Sequence, residues 1–272
     1  MESNTKKNAP IKLSAPATHE FWEIPVLFED EHLLALDKPA GLASSPDRLQ
    51  VDLPNLATLL HNGIAEGKPW ARERNLTYLM PAHRLDADAS GVLLLAKTKP
   101  ALIELVNLFN SEQPCRVCVA LVAGQPEQES FEVDAKIAPH PDRPGEIRVD
   151  SRNGKKARTR FTVLERLGRW TLLRCEPLAE RPQQIRAHLQ YVRLPVLGDA
   201  LHGGKPLWLS RLKPDYQLKP HDTERPLMGR AAVHEERVLL THPVTSQSLE
   251  IESPWPKDLR VSMKYLRRYG VK

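Results

Sequence analysis

The chain has 272 residues, 41% apolar and 27% charged, with a formal charge of +5. That composition fits a soluble globular protein with a sizeable core, in one large domain or two small ones. No apolar run is long enough to cross a bilayer, and three cysteines make no disulfide framework, which leaves the cytoplasm as the expected compartment.

In chain order, residues 1–20 are polar, with Lys6 and Lys7 followed by no apolar stretch. They are expected to be a disordered lead and not a secretory signal. Residues 21–272 are expected to form one catalytic domain. Strands are predicted over 25–28 and 33–37, then an amphipathic helix over 55–64. A buried strand over 91–96 precedes a helix over 100–110. Three more strands follow over 116–122, 158–164 and 171–176. A helix over 182–191 opens with Pro182, where a helix tolerates proline best. Residues 203–226 read as a long loop carrying Lys205, Arg211, Lys213, Lys219 and Arg225. The chain closes on strands over 238–241 and 248–252 and a helix over 257–268. Strands outnumber helices without alternating with them, so the predicted class is α+β, with a large, mostly antiparallel sheet flanked by helices and loops.

The most informative stretch is His83-Arg84-Leu85-Asp86-Ala87-Asp88-Ala89-Ser90-Gly91, set directly before the apolar run 92–96. Polar side chains at the end of a rigid buried strand can be held in a definite geometry. By itself the stretch also reads as a turn whose Asp and Ser bind local backbone. A Ser–His–Asp hydrolase is conceivable but not expected, because Ser90 lies in no nucleophile-elbow motif. Leu85 is expected to anchor the loop inward while Arg84 and Asp86 point elsewhere. Cys115 and Cys118 form a C-x-x-C, but only Cys175 remains as a further sulfur ligand and the pair lies in a predicted strand. Zinc and redox roles are therefore not expected. Neither do His140, His202, His221 and His242 show ligand spacing. The C-terminal Lys257, Arg260, Lys264, Arg267, Arg268 and Lys272 outnumber the one acid, Asp258. A solvated helix face and an RNA-contacting face both fit that pattern.

Several motifs taken together resemble one family. HRLDADASG at 83–91 is similar to the HRLD-x-x-TSG motif of the RluA-type RNA pseudouridine synthases. DEHLLALDKPAGL at 30–42 resembles their early strand and K-P-x-G turn, here Lys38–Gly41. RVCVALVAG at 116–124 resembles their K-x-Y-x-A-L-V-x-G strand. LAERPQQIRAHL at 178–189 resembles T-G-R-x-H-Q-I-R-x-H-L. Gly198-Asp199 with Gly203, and Arg230 with His234, match two later landmarks. The segments appear in family order from about residue 22 to residue 260.

The resemblance implies an enzyme that detaches uracil from ribose, rotates it and rejoins it through carbon, without metal or cofactor. It assigns Asp86 as the catalytic carboxylate and Arg186 as the guanidinium that favours its ionised form. Arg84 matches the arginine that intrudes into the RNA when the target uridine leaves its stack. Arg116, Arg181 and Gln184 sit at further motif positions and are expected on the RNA. The family tyrosine, which stacks on the flipped base, is Cys118 here, and a thiol offers no ring. Ala89 replaces the threonine of TSG, and Glu180 the glycine of T-G-R. The implied partner is transfer or ribosomal RNA, with no membrane and no obligate protein partner. An alternative follows from the altered positions: a synthase-like RNA-binding protein or RNA chaperone with impaired catalysis.

Overall fold

The computed structural model describes residues 9–46, 53–111, 115–179, 181–218 and 221–271. Lys6, Lys7, Glu180, Lys219 and Lys272 lie outside them. The chain forms two compact units, Met1–Arg116 with Glu235–Pro254, and Val117–His234 with Trp255–Lys272. Two of the crossings fall inside strands, so no linker composition announces them.

The elements run β1 (Ile11–Ala15), β2 (Glu20–Ile24), β3 (Val26–Glu29), β4 (Leu33–Lys38), α1 (Leu56–Ala65), α2 (Pro69–Arg72), β5 (Met80–Pro81). There follow β6 (Ser90–Ala96), α3 (Lys99–Asn110), β7 (Cys115–Ala123), β8 (Ser130–Asp134), β9 (Ile137–Pro139) and β10 (Ile147–Val149). Then come β11 (Arg158–Leu167), β12 (Trp170–Pro177), α4 (Gln184–Tyr191), β13 (Val233–Thr241), β14 (Ser248–Glu252) and α5 (Lys257–Tyr269). The class is α+β with a large sheet, as predicted. The pairings β3–β4, β4–β6, β7–β12, β12–β11, β11–β8 and β13–β14 are all antiparallel.

Within the lead expected to be disordered, whose residues 1–8 lie outside the described residues, Ile11–Ala15 instead forms β1, which pairs with β2 and buries Ile11, Leu13 and Ala15 on one face. Its IKLSA run alternates inward and outward with period two, a pattern hidden inside a polar composition.

In the first unit the strands run β3-β4-β6-β13, with β5 on β6 and β14 on β13. Every residue of β6 is buried. Ala101, Leu105 and Phe109, four apart on α3, pack against Val92, Leu94 and Ala96 of that strand and Leu33 and Ala35 of β4. Asn55 caps α1 by accepting from the Thr58 N–H at 3.0 Å, and Thr98 caps α3 in the same way.

In the second unit the order is β7-β12-β11-β8, with β9 and β10 as a separate hairpin. Ala187 of α4 packs with Ile137 and Ala157 beneath that hairpin. Helix α5 turns Leu259, Met263 and Leu266 inward and leaves Lys257, Arg260, Lys264, Arg267 and Arg268 exposed. The long basic loop contains a short 3-10 turn over Leu209–Arg211, with Lys205, Arg211, Lys213 and Arg225 exposed. No helix among the described residues is long and apolar enough to cross a membrane.

Candidate active site

The Asp86 loop belongs to the first unit. Leu85 is buried, Arg84 exposed and Asp86 half-buried, the alternation the sequence predicts. The anchor is more specific than an apolar plug. Ser44 Oγ accepts from the Leu85 N–H at 3.0 Å and donates to the Leu85 carbonyl at 2.9 Å. Lys38, fully buried, directs its ammonium at the carbonyls of Pro39 and Leu42, both at 2.7 Å, and of Ala87 at 3.3 Å. The Gly41 N–H also donates to Ala87 O at 2.8 Å, and the Ala89 N–H to Asp86 O at 3.1 Å. The K-P-x-G turn and the HRLD loop are therefore one hydrogen-bonded body. The Ser44 hydroxyl holds Leu85 and the buried Lys38 ammonium holds Ala87, so both residues flanking Asp86 are fixed in place.

Behind the loop lies a buried polar cluster of the same unit. The Leu94 N–H donates to His83 Nε2 at 3.0 Å, which leaves the proton of the neutral ring on Nδ1. Nδ1 faces Glu235 Oε1 at 4.0 Å, and the ring stacks on Phe109 with centroids 4.6 Å apart. Burial pushes the His83 pKa well below its ordinary value, and the positive charge of Arg116 lowers it further. Arg116, expected on RNA, directs its Nε to both Glu235 oxygens at 3.1 Å and pairs again through its terminal nitrogen. Gly91 lies against the same strand. With φ at +118°, a Cβ there would collide with the Glu235 carbonyl oxygen.

Arg186 belongs to the second unit. It projects from α4 with its side chain 5% exposed and binds Asp199 in a fork, Nε to Oδ2 at 2.7 Å and the terminal nitrogen to Oδ1 at 2.6 Å. His202 completes the group: its Nδ1 lies 3.1 Å from Asp199 Oδ2 and its Nε2 3.0 Å from Ile147 O. Burial raises the Asp199 pKa, but the hydrogen bonds from Arg186 and His202 outweigh it and hold the carboxyl well below the usual carboxylate range.

Gln184, expected on RNA, is buried. Its amide donates to Arg158 O at 2.9 Å and Thr159 Oγ1 at 3.0 Å. Thr159 in turn meets His188 Nδ1 at 2.9 Å, and His188 Nε2 lies 2.9 Å from Ala135 O. Burial lowers the His188 pKa, as a neutral ring bridging a hydroxyl and a carbonyl requires. Arg181 is exposed, with Nε donating to Lys156 O at 3.3 Å.

Cys118 is buried in β7, in register with Cys175 of β12. Burial pushes the Cys175 thiol pKa up, so it is held as an inert thiol. Among the described residues no three His, Cys, Asp or Glu side chains gather as a metal site. Reading the sequence missed Ser44, Glu235 and His202 as structural partners. Lys38 and Asp199 were visible as landmarks, but their partners were not. Lys38 and Ala87 are 49 residues apart, and Arg116 and Glu235 are 119 apart.

Residues 32–191 match the RNA pseudouridylate synthase family. The chain is 34% identical over 252 residues to ribosomal large subunit pseudouridine synthase D of Nitrosomonas europaea, covering 92% of this chain and 68% of that protein. It is 34% identical over 248 residues to ribosomal large subunit pseudouridine synthase C of Escherichia coli K12, covering 89% and 70%. The solved structure of human RNA pseudouridylate synthase domain containing 4 is similar, with a TM-score of 0.62. It shares 22% identity, covers 89% of this chain and 92% of that one, and so speaks to the fold.

Proposed function

The chain belongs to the RNA pseudouridylate synthase family and is an RNA pseudouridine synthase, and from that premise we propose that Asp86 is its catalytic carboxylate and ribosomal RNA of the large subunit its substrate. The observation that carries the assignment of Asp86 is the loop itself. A half-exposed carboxylate stands at the end of a wholly buried strand, and the residues on either side of it are tied down by Ser44 and Lys38. Catalytic groups need such support, because an error of about 1 Å in placement costs about 100-fold in rate. The ribosomal substrate is supported by the names of the two relatives, both large-subunit synthases, and a ribosomal substrate implies work in the cytoplasm.

In this reading Asp86 acts on the ribose of the target uridine, as nucleophile or as the group that takes a sugar proton, and the N1–C1′ bond breaks. Uracil turns and its C5 joins C1′; C5 then loses its proton and the freed N1 gains one, so that the composition is unchanged. Arg186 is the guanidinium of the reaction, at the position the family motif assigns to it. Arg84, exposed beside Asp86, enters the RNA as the uridine leaves its stack. Cys118 takes the motif position of the family's base-stacking tyrosine and has no ring to stack. Arg181 and the exposed lysines and arginines of α5 and the 203–226 loop meet phosphates. Gln184 and Arg116, with their buried partners, support these groups from within.

The test is pseudouridine mapping of large-subunit ribosomal RNA from cells with the gene intact, deleted, and restored as Asp86→Asn. One or more sites should vanish on deletion and return only with Asp86. Full modification by the Asn form would sink the assignment of Asp86. Loss of no ribosomal site on deletion would sink the choice of substrate.

A further inference from the structure

We infer that Asp199 and His202 are positioning residues that lock the Arg186 guanidinium and tie it to the β9–β10 hairpin. The inference rests on the reading of Arg186 as the guanidinium of the reaction. An arginine on a helix surface ordinarily samples many rotamers. Arg186 instead has both edges of one carboxylate oriented onto it, which defines the plane of the guanidinium as well as its position.

The carboxylate is held in its turn. Asp199 Oδ1 accepts from the His202 N–H at 3.3 Å, and Oδ2 meets the His202 ring. The loop carrying both residues is clamped. The Gly198 N–H donates to Lys205 O at 2.9 Å, the Gly204 N–H to Asp199 O at 2.7 Å and the Leu197 N–H to Leu121 O on β7 at 2.9 Å.

Beyond His202 the chain of contacts closes on itself. Ile147 of β10 receives His202 Nε2 at its carbonyl and donates its N–H to Gln183 Oε1 at 3.1 Å. The Gln183 amide donates to Gly145 O at 2.7 Å. Gln183 is the residue at which α4 begins, in the left-handed conformation at φ +54°, and Arg186 lies three residues on. From Arg186 through Asp199, His202, Ile147 and Gln183 the circuit returns to the same helix. Turning the guanidinium therefore disturbs several hydrogen bonds at once.

Stability alone does not account for this arrangement. Asp199 and His202 are each 1% exposed, and buried ion pairs can often be replaced by apolar side chains without loss of stability. What apolar residues cannot do is orient a guanidinium.

The test uses His202→Phe, which fills the space and removes both ring hydrogen bonds, and Asp199→Asn, which keeps shape and removes charge. His202→Gln, able to keep one of the two bonds, provides a milder third variant. Pseudouridine formation is measured on transcribed large-subunit ribosomal RNA under single-turnover and steady-state conditions. Alongside it, the Nε–H resonance of Arg186, identified by its loss in Arg186→Lys, is followed by ¹⁵N NMR. The chemical rate should fall roughly ten- to a hundred-fold with KM little changed, as for other groups that orient an active side chain. His202→Gln should lie between, and the Arg186 resonance should broaden in step. In the Arg186→Lys background the same substitutions should cost little more, because they act through the same group.

An unchanged rate and resonance in folded His202→Phe and Asp199→Asn, with Arg186→Lys impaired, would overturn the inference alone. So would losses that add in full to that of Arg186→Lys. If the two stronger variants fail to fold, a normal rate and a sharp Arg186 resonance in His202→Gln would also overturn it. Wild-type protein that forms no pseudouridine, or Arg186→Lys at full rate, would overturn the functional reading and the inference with it.

Discussion

Around Asp86, the residue that tolerates least change is Lys38. Its ammonium is wholly buried and satisfied by backbone carbonyls on both sides of the loop junction. Lys38→Met keeps the length of the side chain and removes the donor, leaving buried acceptors unpaired. Stability should drop by roughly 1–3 kcal/mol, read from the urea midpoint. Pseudouridine formation should drop further than stability explains, because Ala87, next to Asp86, is left with only the Gly41 N–H of its two tethers. A Lys38→Met protein with normal activity would mean that the turn does not position the loop. Arg84 is the contrasting case. It is exposed, so Arg84→Ala should leave the melting temperature within about 1 °C while raising KM for RNA. The motif made Asp86 and Arg84 legible. The role of Lys38 was not, since nothing in K-P-x-G says which carbonyls its ammonium will meet.

Strand β6 and its entry show how far a motif reflects packing as well as chemistry. Gly91 at the end of HRLDADASG has φ +118° and backbone of Glu235 where a side chain would go. Gly198 repeats the arrangement in the second unit, where a Cβ would meet the Arg230 carbonyl oxygen. Arg230 is itself braced by a fork to Asp258, with Nε to Oδ2 at 2.7 Å. Gly198-Asp199 and Arg230 therefore appear as separate landmarks in the sequence and as neighbours in the fold. Gly91→Ala should destabilise by roughly 2 kcal/mol or more, combining left-side backbone strain with overpacking, as thermal unfolding would show. An alanine variant as stable as wild type would contradict the close approach to Glu235. By comparison, Asn55→Ala at the start of α1 removes one cap bond and should cost about 1 kcal/mol. Element type was legible wherever periodicity was strong, as in β6, α3 and α5. The hairpins β1–β2 and β9–β10 were not, because their short strands lie in polar surroundings and gain their burial from elsewhere in the unit.

Across the whole molecule, the buried titratable groups set how stability depends on pH. His83 and His188 are held neutral by burial, with the Arg116 charge adding to the effect at His83. Once unfolded, both rings take up protons below about pH 6.5, so unfolding binds protons there and stability falls as the pH drops through that value. Asp199 acts in a lower window. Its folded pKa is depressed, so the stability it contributes is present above about pH 4 and is lost as the pH falls further. The urea midpoint should therefore decline in two stages, beginning near pH 6.5 and again below about pH 4. A midpoint constant from about pH 7.5 to about pH 5 would be inconsistent with neutral, buried His83 and His188.

By itself the sequence determined the family, the α+β class and the placement of the long amphipathic and buried elements, and it singled out Asp86. These follow from local signals, namely period, turn residues and ordered motifs, which need no knowledge of distant contacts. Only the tertiary structure decided that Lys38 clasps the Asp86 loop, that Arg116 is bound by Glu235, and that Arg186 is bound by Asp199, which His202 holds in turn. It also decided that Gln184 faces inward and that residues 11–15 form a strand. For the charged side chains among these the physical reason is the same. A buried charge is stable only beside its partner, and most of these partners lie tens of residues away in the chain. Even Arg186 and Asp199, only 13 apart, meet because a clamped loop turns back against α4. No local pattern encodes such a meeting.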